Sequence, residues 1–173
     1  IGITGSNGKT IVKEWLYQLL SPDYKVVKSP LSYNSQIGVP LSCWLINEKH
    51  ELGIFEAGIS HRDEMKNLEK VIKPQIGIFT NIGTAHSAGF NSETEKIYEK
   101  LNLFINSKLI FVNENNSELM EILSKVLKKG QKIITWYYPL KSKKRKSIIP
   151  KKFIIDRIQV QQLNYEKGFV RVE

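Results

Sequence analysis

The chain has 173 residues, of which 41% are hydrophobic and 25% are charged, and its formal net charge is +9. This length suits one domain with a sizeable core, and no apolar run approaches the ~20 residues that a membrane-spanning helix needs, which excludes a membrane span. No signal peptide is visible, and the single cysteine, Cys43, favours a reducing compartment. We therefore expect a cytoplasmic protein.

Much of the positive charge lies in one tract between Lys141 and Lys152, which holds seven Lys or Arg residues and no acidic residue. Removing these seven charges from the total of +9 leaves only +2. Such a tract predicts a solvated loop, and it lacks the interleaved aromatic residues of single-strand binding surfaces. We expect no nucleic acid partner. The alternative, a DNA-binding domain based on this tract, would show salt-dependent DNA binding that neutralising the tract abolishes.

The predicted elements alternate between strands and helices in chain order. A glycine-rich stretch after an initial strand precedes an amphipathic helix whose apolar residues have helical spacing; these residues are Val12, Trp15, Leu16, Leu19 and Leu20. Strands are then predicted in 24–29, 52–57, 75–82, 108–113 and 132–138. Helices are predicted in 37–47, 62–72, 92–105 and 117–129, the last one ended by Gly130.

Apolar strands that alternate with helices are typical of an α/β fold with a mostly parallel sheet flanked by helices on both faces. The alternation ends after about Tyr138, and two later strand-like segments flank a turn near Gly168, which predicts an antiparallel hairpin. We predict an α/β domain over 1–138, a basic flexible loop over 139–152, and antiparallel strands of the same domain over 153–173.

The stretch GITGSNGKT joins the first strand to the first helix. Backbone amides and a helix N-terminus can bind phosphate there, with Lys9 reaching the terminal phosphates and the Thr10 hydroxyl facing Mg²⁺. The candidate phosphate-binding residues are Gly5, Ser6, Asn7, Gly8, Lys9 and Thr10. Ile3 occupies the place of the first glycine of the general P-loop pattern, so a plain structural turn is the alternative.

Two candidate ion ligands follow buried strands. Glu56 ends the apolar run LGIFE, and His86 follows FTNIGTA. Each residue alone is open to a structural reading, as a helix cap or as a hydrogen-bonded histidine. A divalent ion with a bound triphosphate takes its ligands from strand ends, so the joint placement of the two residues favours a metal site.

Five stretches together carry a family resemblance: GITGSNGKT, YNSQIGVPLSCW, IFEAGISHRDEM, TNIGTAHSAGF and EKLNLF. In order and spacing they resemble the ATP-binding central domain of the Mur ligase family, most closely its MurF branch, and they cover residues 1 to about 104. The family's phosphate loop has its first glycine one place earlier than the general pattern, which accounts for Ile3.

The resemblance implies a role for each matching residue. Lys9 would contact the β- and γ-phosphates of ATP, Thr10 and Glu56 would bind a first Mg²⁺, and His86 would help bind a second Mg²⁺. Lys100 matches a lysine that CO₂ converts to a carbamate, which would give the ion an anionic oxygen ligand in place of a repelling ammonium. Lys9, His86 and Lys100 are the implied catalytic residues.

Other positions match the family less closely. Asn34 and Ser35 stand where MurF-like sequences often carry two asparagines near the substrate, and we take both as substrate-loop candidates. Asn102 replaces a frequent glutamate two residues after Lys100, which bears on the hydrogen bonds around the carbamate. His61 is equally compatible with a helix start and with substrate contact.

The resemblance also implies an activity. A MurF-like ligase uses ATP to activate the terminal carboxylate of UDP-MurNAc-tripeptide as an acyl phosphate, which the amine of D-Ala-D-Ala then attacks. The family's N-terminal and C-terminal domains are not recognisable here, so we expect a fragment that is inactive alone. Some MurF-like chains are fused to an alanine racemase domain, of which nothing is visible.

Two alternatives share the phosphate loop. Another ligase of the superfamily, of the MurE or folylpolyglutamate synthase type, would use the same phosphate and metal residues. A non-catalytic nucleotide-binding module would use the loop alone, and Glu56, His86 and Lys100 would then be dispensable.

Overall fold

The computed structural model describes residues 1–83 and 89–137, and the backbone of the strands within 154–164 and 169–172. Its strands are β1 (Gly2–Thr4), β2 (Val26–Lys28), β3 (Leu52–Glu56), β4 (Ile76–Phe79), β5 (Leu109–Asn113), β6 (Lys132–Tyr137), β7 (Ile154–Asn164) and β8 (Phe169–Val172). Its helices are α1 (Lys9–Leu20), α2 (Gly38–Cys43), α3 (Glu64–Ile72), α4 (Glu93–Leu101) and α5 (Ser117–Val126). A 3₁₀ turn, Asn102–Phe104, continues α4.

The strands form one sheet in the order β2-β3-β1-β4-β5-β6-β7-β8. Strands β1 to β7 pair in parallel, and β8 pairs antiparallel with β7. The predicted α/β fold with a mostly parallel sheet and a closing antiparallel pair is therefore confirmed. Gly168 and the basic loop over 139–152 lie outside the described residues, and the predicted domain limits stay a prediction.

Helices cover both faces of the sheet. Helices α2, α3, α4 and α5 contact one another in chain order, and α1 packs on β1, β2 and β3. The connection from β1 to β2 crosses the sheet in the direction opposite to the later connections, so right-handed crossovers place α1 on the other face. Within the described residues, no helix has the length and apolar character needed to cross a membrane.

The main core lies between the sheet and the layer formed by α2 to α5. Buried residues of β4, β5 and β6 pack there against apolar side chains of the helices. The rings of Phe79 and Phe104 meet edge to face with centroids 6.4 Å apart, an arrangement that aromatic pairs prefer. This core fixes the carboxyl ends of the parallel strands relative to one another.

Several element predictions differ from the structure, and β4, for example, ends at Phe79 rather than at the predicted 82. In α1, Trp15 and Leu19 are 56% and 72% exposed, whereas Lys13 is buried, because that side chain has buried polar partners on the side facing the sheet. Helix α2 ends at Cys43, short of the predicted 47, because turns follow it.

Helix α5 ends at Val126, before the predicted stop at Gly130, because Leu127 has extended backbone. A turn follows in which Gln131 accepts a hydrogen bond from the Lys128 amide at 2.9 Å. Gly130 lies in this turn with a φ of 94°.

Candidate functional site

The loop after β1 has a backbone that requires glycine. Gly5 has a φ of 145°, and a Cβ built there would lie 2.0 Å from Thr80 Oγ1. Gly8 has a φ of 80° and precedes α1 directly. Asn81, which follows β4, accepts hydrogen bonds from the Ser6 amide at its carbonyl (2.8 Å) and from the Asn7 amide at its side chain (2.9 Å). The loop is therefore held in one conformation by the neighbouring strand end.

The amino end of α1 suits an anion. The first amides of a helix have no partner within it, and the helix dipole places partial positive charge there. Gly8 offers no capping side chain, and the first turn of α1 contains no acidic residue. Together with the cradle at Gly5, this geometry fits a phosphate group.

Lysines from two helices surround the same loop. Lys9 Nζ donates to the Gly5 carbonyl at 3.0 Å, and Lys100 Nζ of α4 donates to that carbonyl at 3.2 Å. One turn earlier on α4, Lys96 Nζ donates at 2.6 Å to the Gly83 carbonyl, which also accepts from the Ser6 hydroxyl at 3.1 Å. The loop thus lies among three lysine side chains.

Burial changes the chemistry of these amines. Burial, together with the positive charges of Lys9 and Lys96, lowers the pKa of Lys100 to about 7. Burial also lowers the pKa of Lys9, against the opposing effect of the Glu56 carboxylate. Near neutral pH a large fraction of Lys100 is therefore the free amine, which is the nucleophilic form.

A carboxylate and a hydroxyl meet beside the lysines. Glu56 is fully buried at the end of β3, and its Oε2 accepts a hydrogen bond from Thr10 Oγ1 at 2.9 Å. The Ser32 hydroxyl lies 3.2 Å from the same Thr10 oxygen. These hard oxygen donors fit Mg²⁺, which takes one or two carboxylates and completes its shell with phosphate oxygens and water. Among the described residues no group of three His, Cys, Asp or Glu side chains could hold a metal.

The predicted substrate-loop residues lie near this pair. The Asn34 carbonyl accepts from the Gly58 amide at 2.7 Å, and Ser35 Oγ accepts from the Gly38 amide at 3.1 Å at the start of α2. Both residues line a cavity of about 240 Å³ together with Gly58 and Ser60. Gly58, which lines the cavity, follows Glu56 by two residues in the chain.

The remaining predicted residues have other surroundings. His86 lies outside the described residues, and its role stays a prediction. The Asn102 side chain donates to Glu99 at 3.3 Å. The His61 amide donates to Glu64 Oε2 at 2.9 Å, at the start of α3.

Sequence reasoning missed several residues of the site, and all of them except Ser32 carry a signal in the sequence. Lys13 follows Lys9 by four residues and Lys96 precedes Lys100 by four, so each pair shares one helix face. Asn81 lies two residues after the end of β4, where polar residues reach the crevice. Ser32 carries no such signal, since its contact depends on the fold of the loop.

Comparison with known proteins gives one family. The family profile described as the Mur ligase middle domain matches residues 3–172. A UDP-N-acetylmuramoyl-tripeptide–D-alanyl-D-alanine ligase of Borreliella burgdorferi is 38% identical over 159 residues, which are 90% of this chain and 34% of that protein.

Several solved structures are similar in fold, including two of MurF. MurF from Acinetobacter baumannii superposes with a TM-score of 0.72 and 25% identity, over 78% of this chain and 30% of that one. MurF from Thermotoga maritima, solved in complex with ADP, has a TM-score of 0.68 and 27% identity, over 79% of this chain and 32% of that one. The chain thus spans about a third of the length of each of these relatives.

Proposed function

Because the chain belongs to the Mur ligase family, as its match to the family's middle domain over residues 3–172 establishes, we propose that it is the ATP-binding part of a ligase that joins D-Ala-D-Ala to UDP-MurNAc-tripeptide. The names of its relatives support this substrate pair, and the ADP complex of one similar structure supports the nucleotide. The observation that carries the proposal is the meeting of Lys9 and Lys100 at one carbonyl of the phosphate loop, beside the contact between Thr10 and Glu56.

Each part of the site has a task in this proposal. The loop from Gly5 to Thr10 holds the phosphates of ATP, and Lys9 leaves its loop carbonyls to contact the terminal phosphates. Thr10 and Glu56 would be ligands of a first Mg²⁺, and His86 and a carbamylated Lys100 would be ligands of a second. When bound, these ions would offset negative charge on the phosphoryl group during transfer.

The reaction needs no nucleophilic side chain from the protein, and the protein contributes by positioning ATP and the tripeptide carboxylate. The γ-phosphate passes from ATP to the terminal carboxylate of the tripeptide, and the acyl phosphate then reacts with the amine of D-Ala-D-Ala and releases phosphate. The chain contributes the fixed amides of its loop and the charge of Lys9, which are in place before the reaction begins. Asn34 and Ser35 line a cavity together with Gly58 and would guide the tripeptide carboxylate toward the phosphate.

The proposal extends to the parent protein, by which we mean the longer protein of which this chain would be one part. The UDP-sugar and the incoming dipeptide would bind to domains of the parent outside this chain, and peptidoglycan precursor synthesis places the reaction in the cytoplasm. A parent fused to an alanine racemase domain stays a prediction.

Phosphate release by the full-length parent tests the activity. With ATP and UDP-MurNAc-tripeptide, we expect release to depend on D-Ala-D-Ala and to fall at least about 100-fold in Lys9→Ala and in Glu56→Ala, because each change removes stabilisation of the transition state. Lys129→Ala, which changes an exposed lysine far along the chain, is the matched control and should leave turnover unchanged. Turnover that persists in both site variants would contradict the proposal.

A further inference from the structure

Lys13 is among the largest fully buried side chains of the described residues, with 0% exposure. Lysine is one of the residue types that are least often buried without a partner. It lies on α1 one turn after Lys9, so it is close to the phosphate loop. The function proposed above gives Lys13 no role.

The Lys13 ammonium joins two parts of the chain. Its Nζ lies 3.3 Å from Glu56 Oε1 and donates to the Ser29 carbonyl at 2.8 Å. It also contacts the Leu31 carbonyl and lies 3.3 Å from Glu14 Oε1. Removing one member of a buried, hydrogen-bonded ion pair leaves its partner uncompensated. The position of Glu56 therefore depends on Lys13.

The two oxygens of Glu56 differ in their contacts. Oε1 lies 3.3 Å from Lys13 Nζ and 3.3 Å from Thr10 Oγ1, whereas Oε2 accepts the shorter hydrogen bond from Thr10, at 2.9 Å. The Glu56 amide donates to Ser29 Oγ at 3.2 Å, so Ser29 contacts both Lys13 and the backbone of Glu56. This arrangement turns one carboxylate oxygen toward Thr10, the other proposed ligand of the first Mg²⁺.

The same ammonium holds the loop that follows β2. Leu31 has a φ of 46°, a left-handed conformation that is unfavourable for a residue with a side chain. The contact of its carbonyl with Lys13 offsets this cost. The loop then places the Ser32 hydroxyl 3.2 Å from Thr10 Oγ1 and leads to Asn34.

We infer that Lys13 is a positioning residue, which turns the Glu56 carboxylate toward the Mg²⁺ site and fixes the loop over 29–35 beside it. The inference rests on the proposed function, because it assumes that Glu56 and Thr10 bind Mg²⁺.

Removing Lys13 would change the affinity for Mg²⁺ in two opposite ways. Loss of a positive charge beside an ion ligand would tighten Mg²⁺ binding, whereas loss of a residue that orients a ligand typically weakens metal binding about 10- to 100-fold. We expect the weakening to be the larger of the two effects.

Calorimetric titration of the chain with ADP at increasing Mg²⁺ concentrations tests whether removing Lys13 weakens or tightens Mg²⁺ binding. Lys13→Met removes the charge at similar side-chain length. Lys28→Met is the matched control, because Lys28 pairs with Glu14, which lies on α1 as Lys13 does. In Lys13→Met we expect the Mg²⁺ concentration for half-maximal ADP binding to rise about 10- to 100-fold. ADP affinity in EDTA should stay within about two-fold of the wild type, and Lys28→Met should change neither quantity.

Amide NMR spectra check that each variant is folded. If Lys13→Met does not fold, Lys13→Gln, which keeps a donor without the charge, replaces it with the same expected direction. An unchanged or lower Mg²⁺ requirement in a folded variant overturns the inference. The proposed function still stands in that case if the wild-type chain binds ADP with Mg²⁺ and Lys9→Ala does not. A wild-type chain that binds no ADP with Mg²⁺ overturns both.

Discussion

Lys100 combines burial with a neighbouring charge in a way that an ordinary surface lysine does not. Its side chain is 1% exposed, and its ammonium shares the Gly5 carbonyl with Lys9. A protonated amine in this place destabilises the folded chain, since burial and the nearby cations both disfavour the charge. The same surroundings supply the free amine that carbamylation requires.

This cost predicts a pH dependence of stability. The pKa of Lys100 falls from its ordinary 10.5 to about 7 on folding, so the unfolded chain binds more protons between these pH values. The contribution of Lys100 to the free energy of unfolding therefore rises with pH from about 7 to about 10. Below pH 7 the full cost of burying the charge remains.

Replacing Lys100 by methionine should remove this rise. We expect Lys100→Met to be more stable than the wild type at pH 7 by at least about 1.4 kcal/mol, the equivalent of one pKa unit. Urea unfolding at several pH values in buffers free of CO₂ measures the difference, with Lys129→Met as the exposed control. An equal rise with pH in Lys100→Met and in the wild type would contradict the assigned pKa.

At the scale of elements, α4 is the helix that brings two lysines to the loop. Lys96 and Lys100 lie one turn apart on it, and their positions depend on where the helix begins. Ser92 determines that start, because its hydroxyl accepts a hydrogen bond from the Glu95 amide at 3.0 Å. The cap thus fixes the register of both lysines relative to the phosphate loop.

Loss of this cap should destabilise the chain moderately. We expect Ser92→Ala to lower the free energy of unfolding by about 1 kcal/mol, as is typical when an N-cap serine is replaced. Ser124→Ala is a suitable control, because Ser124 is on α5 and its hydroxyl donates to a carbonyl within that helix. A loss in Ser92→Ala no greater than in the control, measured by urea unfolding, would show that the cap is dispensable.

The elements themselves were largely predictable, because apolar run length and periodicity reflect local burial. The burial of Lys13 was not predictable, since it depends on Glu56, which lies 43 residues away in the chain. The end of α5 was missed for a similar reason, because Gln131 of the following turn donates to the carbonyls of Phe104 and Ser107, which precede β5. Contacts of this kind leave no periodic signal in a single sequence.

On the scale of the whole molecule, the parallel sheet explains why distant residues meet. The carboxyl ends of β1, β3 and β4 lie at one edge, and they lead into the phosphate loop, Glu56 and Asn81 respectively. The approach of Glu56 to Thr10 follows from this topology and was expected from strand ends alone. Lys100 was singled out only by family resemblance, since a helix lysine has no distinguishing pattern, and the role of His86 stays a prediction.

An apolar groove of about 700 Å³ adjoins the loop on the α1 side of the sheet. Side chains of α1 and of strands β4 to β6 line it, and Asn7 and Gly8 lie at its edge. The groove gives a nucleotide an alternative place to bind that does not involve Glu56 or Lys100. The location of bound nucleotide therefore separates the proposed site from this alternative.

The crystal structure of the chain with ADP and Mg²⁺ tests the central claim most directly. We expect the β-phosphate to lie within the loop from Gly5 to Thr10, with the ion contacting Thr10 Oγ1 and a Glu56 oxygen at about 2.1 Å, the usual Mg²⁺–oxygen distance. ADP bound in the apolar groove, or an ion remote from Glu56, would contradict the account.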